Sequence, residues 1–107
     1  MNHSHKLHAI KAVFLAAALT TANFTLAQEP PAKETLCRAC HGASGAAPIA
    51  DSYPKLNGQN KAYLESALKA YRSGTRSGGL ASAMVMQAKN LTDAEISALA
   101  NYYASQK

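Results

Sequence analysis

Cys37 and Cys40 are the only cysteines of the chain, they stand three positions apart, and His41 follows the second directly. On a turn of helix the run Cys37-Arg38-Ala39-Cys40-His41 turns both sulfurs to one side, with the imidazole next to them. A redox-active dithiol needs a lowered thiol pKa, usually at a helix start that follows a strand, and no strand pattern precedes this run. A disulfide across three positions closes too short a loop to stabilise much. A structural zinc site takes four N, S or O ligands. The remaining use is covalent attachment of haem, for which C-x-x-C-H is the sequence pattern. The two thiols add to the two vinyl groups, and the histidine offers a ring nitrogen to the iron.

The first 27 residues read differently from the rest. Lys6 and Lys11 flank an apolar run from Ala9 to Leu19, and Thr25-Leu26-Ala27 ends the stretch in small residues. A basic start, a short apolar centre and a small-residue end make a cleavable secretory signal over residues 1–27. Ala22 is a second candidate cleavage point. A membrane anchor needs roughly 20 apolar residues, and Thr20, Thr21 and Asn23 interrupt this one. No stable membrane span is therefore expected once the signal is gone.

Residues 28–107 remain as one domain. His3, His5 and His8 leave with the signal, so His41 becomes the only histidine and zinc is left short of ligands. Nine lysines and arginines face six acids, a net charge of +3 spread along the chain. No basic stripe of the kind that binds nucleic acid is visible.

The domain reads as all-α. A short helix runs from about Ala32 to His41 and stops at Gly42, after Pro30 or Pro31 at its entry. Residues 42–59, rich in Gly, Ala, Ser and Pro, read as a loop wrapped over something. From Asn60 to Ser73, the residues Tyr63, Leu64, Ala67, Leu68 and Tyr71 recur at helical spacing on one face. A Gly/Ser segment over 74–83 leads to an apolar piece from Met84 to Leu91. Thr92-Asp93-Ala94-Glu95 is a capping box, and Ile96, Leu99, Ala100 and Tyr103 carry an apolar stripe to about Ser105. Most of the apolar supply is alanine, which buries little area, and small domains often lean on a bound group. A haem would supply the missing apolar centre.

The far side of the iron decides between electron transfer and ligand binding. With one histidine, methionine is the natural second ligand, and only Met84 and Met86 are available in the domain. Residues two apart on a helix point in different directions, so one is expected to reach the iron. Spacing alone does not say which.

The motifs continue in order as Cys37-Arg38-Ala39-Cys40-His41-Gly42, Tyr53-Pro54-Lys55-Leu56-Asn57-Gly58-Gln59, Tyr63-Leu64 and Tyr71-Arg72-Ser73-Gly74-Thr75-Arg76. Met84, Leu91-Thr92-Asp93-Ala94-Glu95-Ile96 and Leu99-Ala100-Asn101-Tyr102-Tyr103 follow. Over residues 36–105 this resembles the small bacterial monohaem class I cytochromes c, and single halves of periplasmic dihaem cytochromes. The resemblance implies three main helices plus short helical segments wrapped around one covalently bound haem. It implies Met84 as axial ligand, seven residues before Leu91, with Met86 packing. It implies that the carbonyl of Pro54, with Pro48 as competitor, accepts a hydrogen bond from His41. Tyr102 or Tyr103 is then expected to pack against the first helix.

Function follows as an expectation: a soluble periplasmic carrier that moves one electron between Fe(II) and Fe(III), not an enzyme. The alternatives are the haem subunit of a larger oxidoreductase and an open-iron sensor. Arg72 and Arg76 are candidates to pair with haem propionates. Lys55, Lys61, Lys69, Arg76 and Lys89 are candidates to steer acidic redox partners.

Overall fold

A computed structural model describes residues 11–22 and 28–107. Residues 11–22 form no helix, and Val13, Phe14, Leu15 and Leu19 lie exposed. Residues 1–10 and 23–27, with the expected cleavage point after Ala27, lie outside the described residues. Among the described residues the chain is all-α, with no strand. Its helices are α1 (Glu34–His41), α2 (Lys61–Ser73), α3 (Ala81–Ala88) and α4 (Asp93–Ala104), and a 3-10 turn spans Ala43–Gly45. No helix among these residues is long and apolar enough to cross a membrane.

Local chemistry sets the boundaries. The α1 helix begins two residues later than its pattern suggests, because the Glu34 N–H is taken by the Pro31 carbonyl at 2.9 Å in a turn. Lys33, at the cap position, supplies no side-chain acceptor there. After Gly42 the backbone doubles back, and the Ile49 N–H reaches the Cys40 carbonyl at 3.0 Å. Gly42 has φ +80°, and a Cβ there would collide with the Ala47 carbonyl, so only glycine fits this bend. The apolar piece expected from Met84 is helical from Ala81, since the backbone turns at Gly78 and Gly79 and their carbonyls accept from Ala81 and Ser82.

The capping box at α4 is present in full. Thr92 Oγ1 accepts from the Glu95 N–H at 3.1 Å, and Glu95 Oε1 accepts from the Thr92 N–H at 3.0 Å. Such a cap contributes about 1 kcal/mol. Two further contacts tie α2 to the start of α4. Arg72 donates to the Leu91 carbonyl at 3.0 Å and to Asp93 Oδ1 at 2.6 Å.

The α2 helix packs on α3 and on α4. The buried hydrophobic cluster is Leu64, Ala88, Leu91, Ile96, Leu99, Ala100, Tyr102 and Tyr103, with Cys37 of α1 packed against it. Among the described residues, only Ile96 and Leu99 of the large apolar side chains are wholly enclosed. Each such burial stabilises by roughly 1.5–3 kcal/mol, so this core is thin, as the alanine-rich composition suggests.

Candidate haem-binding site

The missing core has a shape. A cavity of about 380 Å³ opens between α1, the loop after it, α2, α3 and α4. The face of α2 expected to be core, Tyr63, Leu64, Ala67, Leu68 and Tyr71, lines this cavity. Its apolar stripe is therefore turned largely toward a space that protein does not fill. Leu99, Ala100 and Tyr103 of α4 form part of the same lining.

Cys37, Cys40 and His41 all line one wall, and both thiols are free. His41 is buried at 4% exposure, and its Nδ1 lies 2.7 Å from the Pro54 carbonyl. A carbonyl can only accept, so Nδ1 must carry a proton, and in the neutral ring the lone pair is on Nε2. The Tyr53 ring stands 6.2 Å from the imidazole. Pro54 is carried by the loop that follows the 3-10 turn. That loop is stitched down by two bonds, Leu56 N–H to the Gly45 carbonyl and Gly58 N–H to the Tyr103 carbonyl, each 2.9 Å. Gly45 has φ +65°, and a Cβ there would press on Leu56 and Tyr103. Pro48, the competitor, is not the partner of His41.

The structure also separates the two methionines. Met84 lines the cavity, while Met86 is turned outward at 68% exposure. The two arginines also part company. Arg76 lines the cavity, its guanidinium 4.7 Å over the Tyr71 ring and its Nη1 3.4 Å from the Tyr63 hydroxyl. Arg72 is committed to Leu91 and Asp93 and does not line the cavity, because the C-terminal end of α2 sits over the start of α4. Of the lysines put forward for steering, Lys55 lines the cavity, whereas Lys61 pairs with Glu65 at 3.9 Å.

Burial pushes the Cys37 thiol above its ordinary value; a hydrogen bond with Tyr103 opposes the rise and the Glu34 carboxylate adds to it. A thiol held protonated is a poor nucleophile, contrary to what a dithiol oxidoreductase needs. Burial also raises the Tyr103 hydroxyl, with Cys37 and Glu34 adding to the shift. One partner in this group went unread in the sequence. Glu34 is buried at 1% exposure, held by Arg38 Nε at 2.8 Å and by the Tyr103 hydroxyl at 3.4 Å. The i,i+4 spacing of Glu34 and Arg38 was visible, but the third member lies 69 positions away.

Haem c fits this donor set. The lining offers two thiols for thioether bonds, the His41 imidazole and the Met84 thioether. Among the described residues, no group of three or more His, Cys, Asp and Glu side chains converges as for a metal ion without a macrocycle.

Comparisons with known proteins agree. The family model for cytochrome c matches residues 32–107. Cytochrome c-554(548) of Halomonas halodenitrificans is 49% identical over 71 residues, which are 66% of this chain and 84% of that protein. Cytochrome c4 of Pseudomonas aeruginosa is 40% identical over 76 residues, 71% of this chain and 36% of that protein. A thiosulfate dehydrogenase electron acceptor of Thiomonas intermedia is 40% identical over 70 residues, 65% of this chain and 32% of that protein. The chain thus spans about a third of the length of these last two relatives. Fold, donor set and sequence converge: the chain belongs to the cytochrome c family, electron carriers that hold a covalent haem c.

Proposed function

We propose that this protein is a periplasmic one-electron carrier whose haem is bonded through Cys37 and Cys40 and ligated by His41 and Met84. One observation carries the reading: His41, whose Nδ1 is taken by the Pro54 carbonyl, and Met84 line the same largely apolar cavity, while Met86 is turned outward. When bound, haem supplies a single iron that cycles between Fe(III) and Fe(II). The chain's residues do the rest. Pro54 holds the His41 ring in one orientation and makes it a better donor. The soft thioether of Met84 favours the reduced state and raises the potential relative to a second imidazole. Leu64, Leu68 and Leu99 keep water from the centre. The signal over residues 1–27 supports export.

Lys55 and Arg76 bring positive charge to the cavity lining, and none of the described carboxylates belongs to that lining. This favours docking on acidic redox partners and a pairing of Arg76 with a haem carboxylate. The electron-transfer rate then falls as ionic strength rises, and a rate indifferent to salt would remove the steering. A second reading, the haem subunit of an oxidoreductase, draws on the relative named a thiosulfate dehydrogenase electron acceptor. Co-purification at a fixed ratio favours the subunit; rapid and weak exchange favours the free carrier.

The test is the visible spectrum of the protein made in a host that attaches haem, oxidised and reduced. Wild type is expected to show a sharp low-spin c-type band on reduction and the weak Met–iron band on oxidation. Met84→Ala loses the Met–iron band and Met86→Ala keeps it; the opposite pattern moves the ligand to Met86. A high-spin wild type points to an open iron.

A further inference from the structure

Glu34 is the only acid that the domain buries among the described residues, and it does not belong to the cavity lining. Its surroundings are specific. Oε2 lies 2.8 Å from Arg38 Nε, and Oε1 accepts from the Tyr103 hydroxyl at 3.4 Å. Tyr103 and Cys37 both line the cavity, so the carboxylate stands one side chain behind the wall that carries the thioether bonds. Arg38, by contrast, is 45% exposed along its side chain.

Stability alone does not account for this pair. Taking a carboxylate out of water costs several kcal/mol, and an apolar residue of similar size often does as well or better at such a site. The two partners also differ in what surrounds them. Water screens the Arg38 charge, whereas the Glu34 charge sits in low-dielectric protein, where it acts over longer range. The pair is neutral by count, yet its field toward the cavity is dominated by the carboxylate.

We propose that the Glu34–Arg38 pair sets the reduction potential of the centre, the buried carboxylate favouring the oxidised iron and Arg38 partly offsetting it. Reduction brings one electron from a redox-protein donor, iron passes from Fe(III) to Fe(II), and the charge of the centre falls by one. No bond forms or breaks and no proton moves. A fixed negative charge behind the wall opposes that gain of electron charge. The proposal rests on the haem ligation put forward above and adds a residue pair outside it.

The experiment is equilibrium redox titration of the holoprotein, with each variant checked for an unchanged low-spin spectrum. Glu34→Gln, which keeps the size and the acceptor for Tyr103, is expected to tighten electron binding about threefold to tenfold. That is about 30–60 mV upward, at about 59 mV per tenfold for one electron. Arg38→Gln shifts the potential the other way, and Lys61→Gln or Glu65→Gln on α2 moves it by much less. If Glu34→Gln does not accumulate as holoprotein, Arg38→Gln decides, since its exposed side chain tolerates replacement. Potentials that stay with those of the α2 variants, or that move in one direction for both members of the pair, would overturn the proposal while leaving the ligation intact. A wild type lacking the low-spin spectrum would overturn the ligation and this inference with it.

Discussion

Helices α3 and α4 follow one another in the chain and both help to line the cavity, yet they are held in place differently. The α4 helix starts on a full capping box and buries Ile96, Leu99, Ala100, Tyr102 and Tyr103. The α3 helix has no side-chain cap and buries only Ala88; it presents Met84 to the cavity, and its Met86 lies exposed. Protein contacts account for α4. For α3 they account for one side, its packing on α2, and the other side depends on what fills the cavity. The domain is thus a rigid scaffold joined to a wall that needs its cofactor.

The largest expected effect comes from removing that cofactor. In Cys37→Ser/Cys40→Ser, made without haem attachment, thermal stability falls steeply. The amides of 81–88 are then expected to exchange fastest, with those of 93–104 retaining more protection. Equal loss in both helices, read by hydrogen exchange, would break the comparison. Next in size, Leu99→Ala destabilises by about 2–5 kcal/mol in denaturant unfolding and keeps the Met–iron band. Met84→Ala does the converse, losing the band and leaving exchange in α4 nearly unchanged.

Caps give a finer contrast. Thr92→Ala costs about 1 kcal/mol. Ser82→Ala at the start of α3, where Ser82 Oγ donates to the Gly79 carbonyl, stays within about 0.5 kcal/mol. Comparable losses would mean that α3 is capped as firmly as α4. The smallest effect is electrostatic. Arg72 holds the Asp93 carboxyl below its ordinary range, and the Thr92 N–H does the same for Glu95. A carboxyl with a depressed folded-state pKa stabilises above its unfolded pKa of about 4 and loses that contribution as pH falls through the lower folded value. Unfolding midpoints measured from pH 5 to pH 2 therefore fall less for Asp93→Asn than for wild type.

How much of this was legible in the residues follows the range of each interaction. The capping box at Thr92 and Glu95, the stripe of α2 and the spacing of Cys37, Cys40 and His41 are local, and each lies where the sequence puts it. Pro54 and Met84 came from the family pattern, and the structure brings both to the cavity. The apolar face of α2 was legible as buried, but not as buried against a cofactor instead of protein. The side-chain partners that the sequence did not reveal are long-range cases. Arg72 finds its partner 21 positions away and Glu34 finds Tyr103 69 positions away. No periodicity signals a contact of that kind.

The oxygen that fixes the His41 tautomer is a main-chain carbonyl. Every genetically encoded residue at position 54 brings that same atom, so point mutation exchanges the ring and spares the acceptor. Heritable variation can tune this contact only indirectly, by rerouting the loop through insertion, deletion or a change at Gly42 or Gly45. An alanine scan is accordingly blind to it. Chemical synthesis is not: an ester in place of the amide between residues 54 and 55 weakens the acceptor without touching a side chain, and so addresses the imidazole alone.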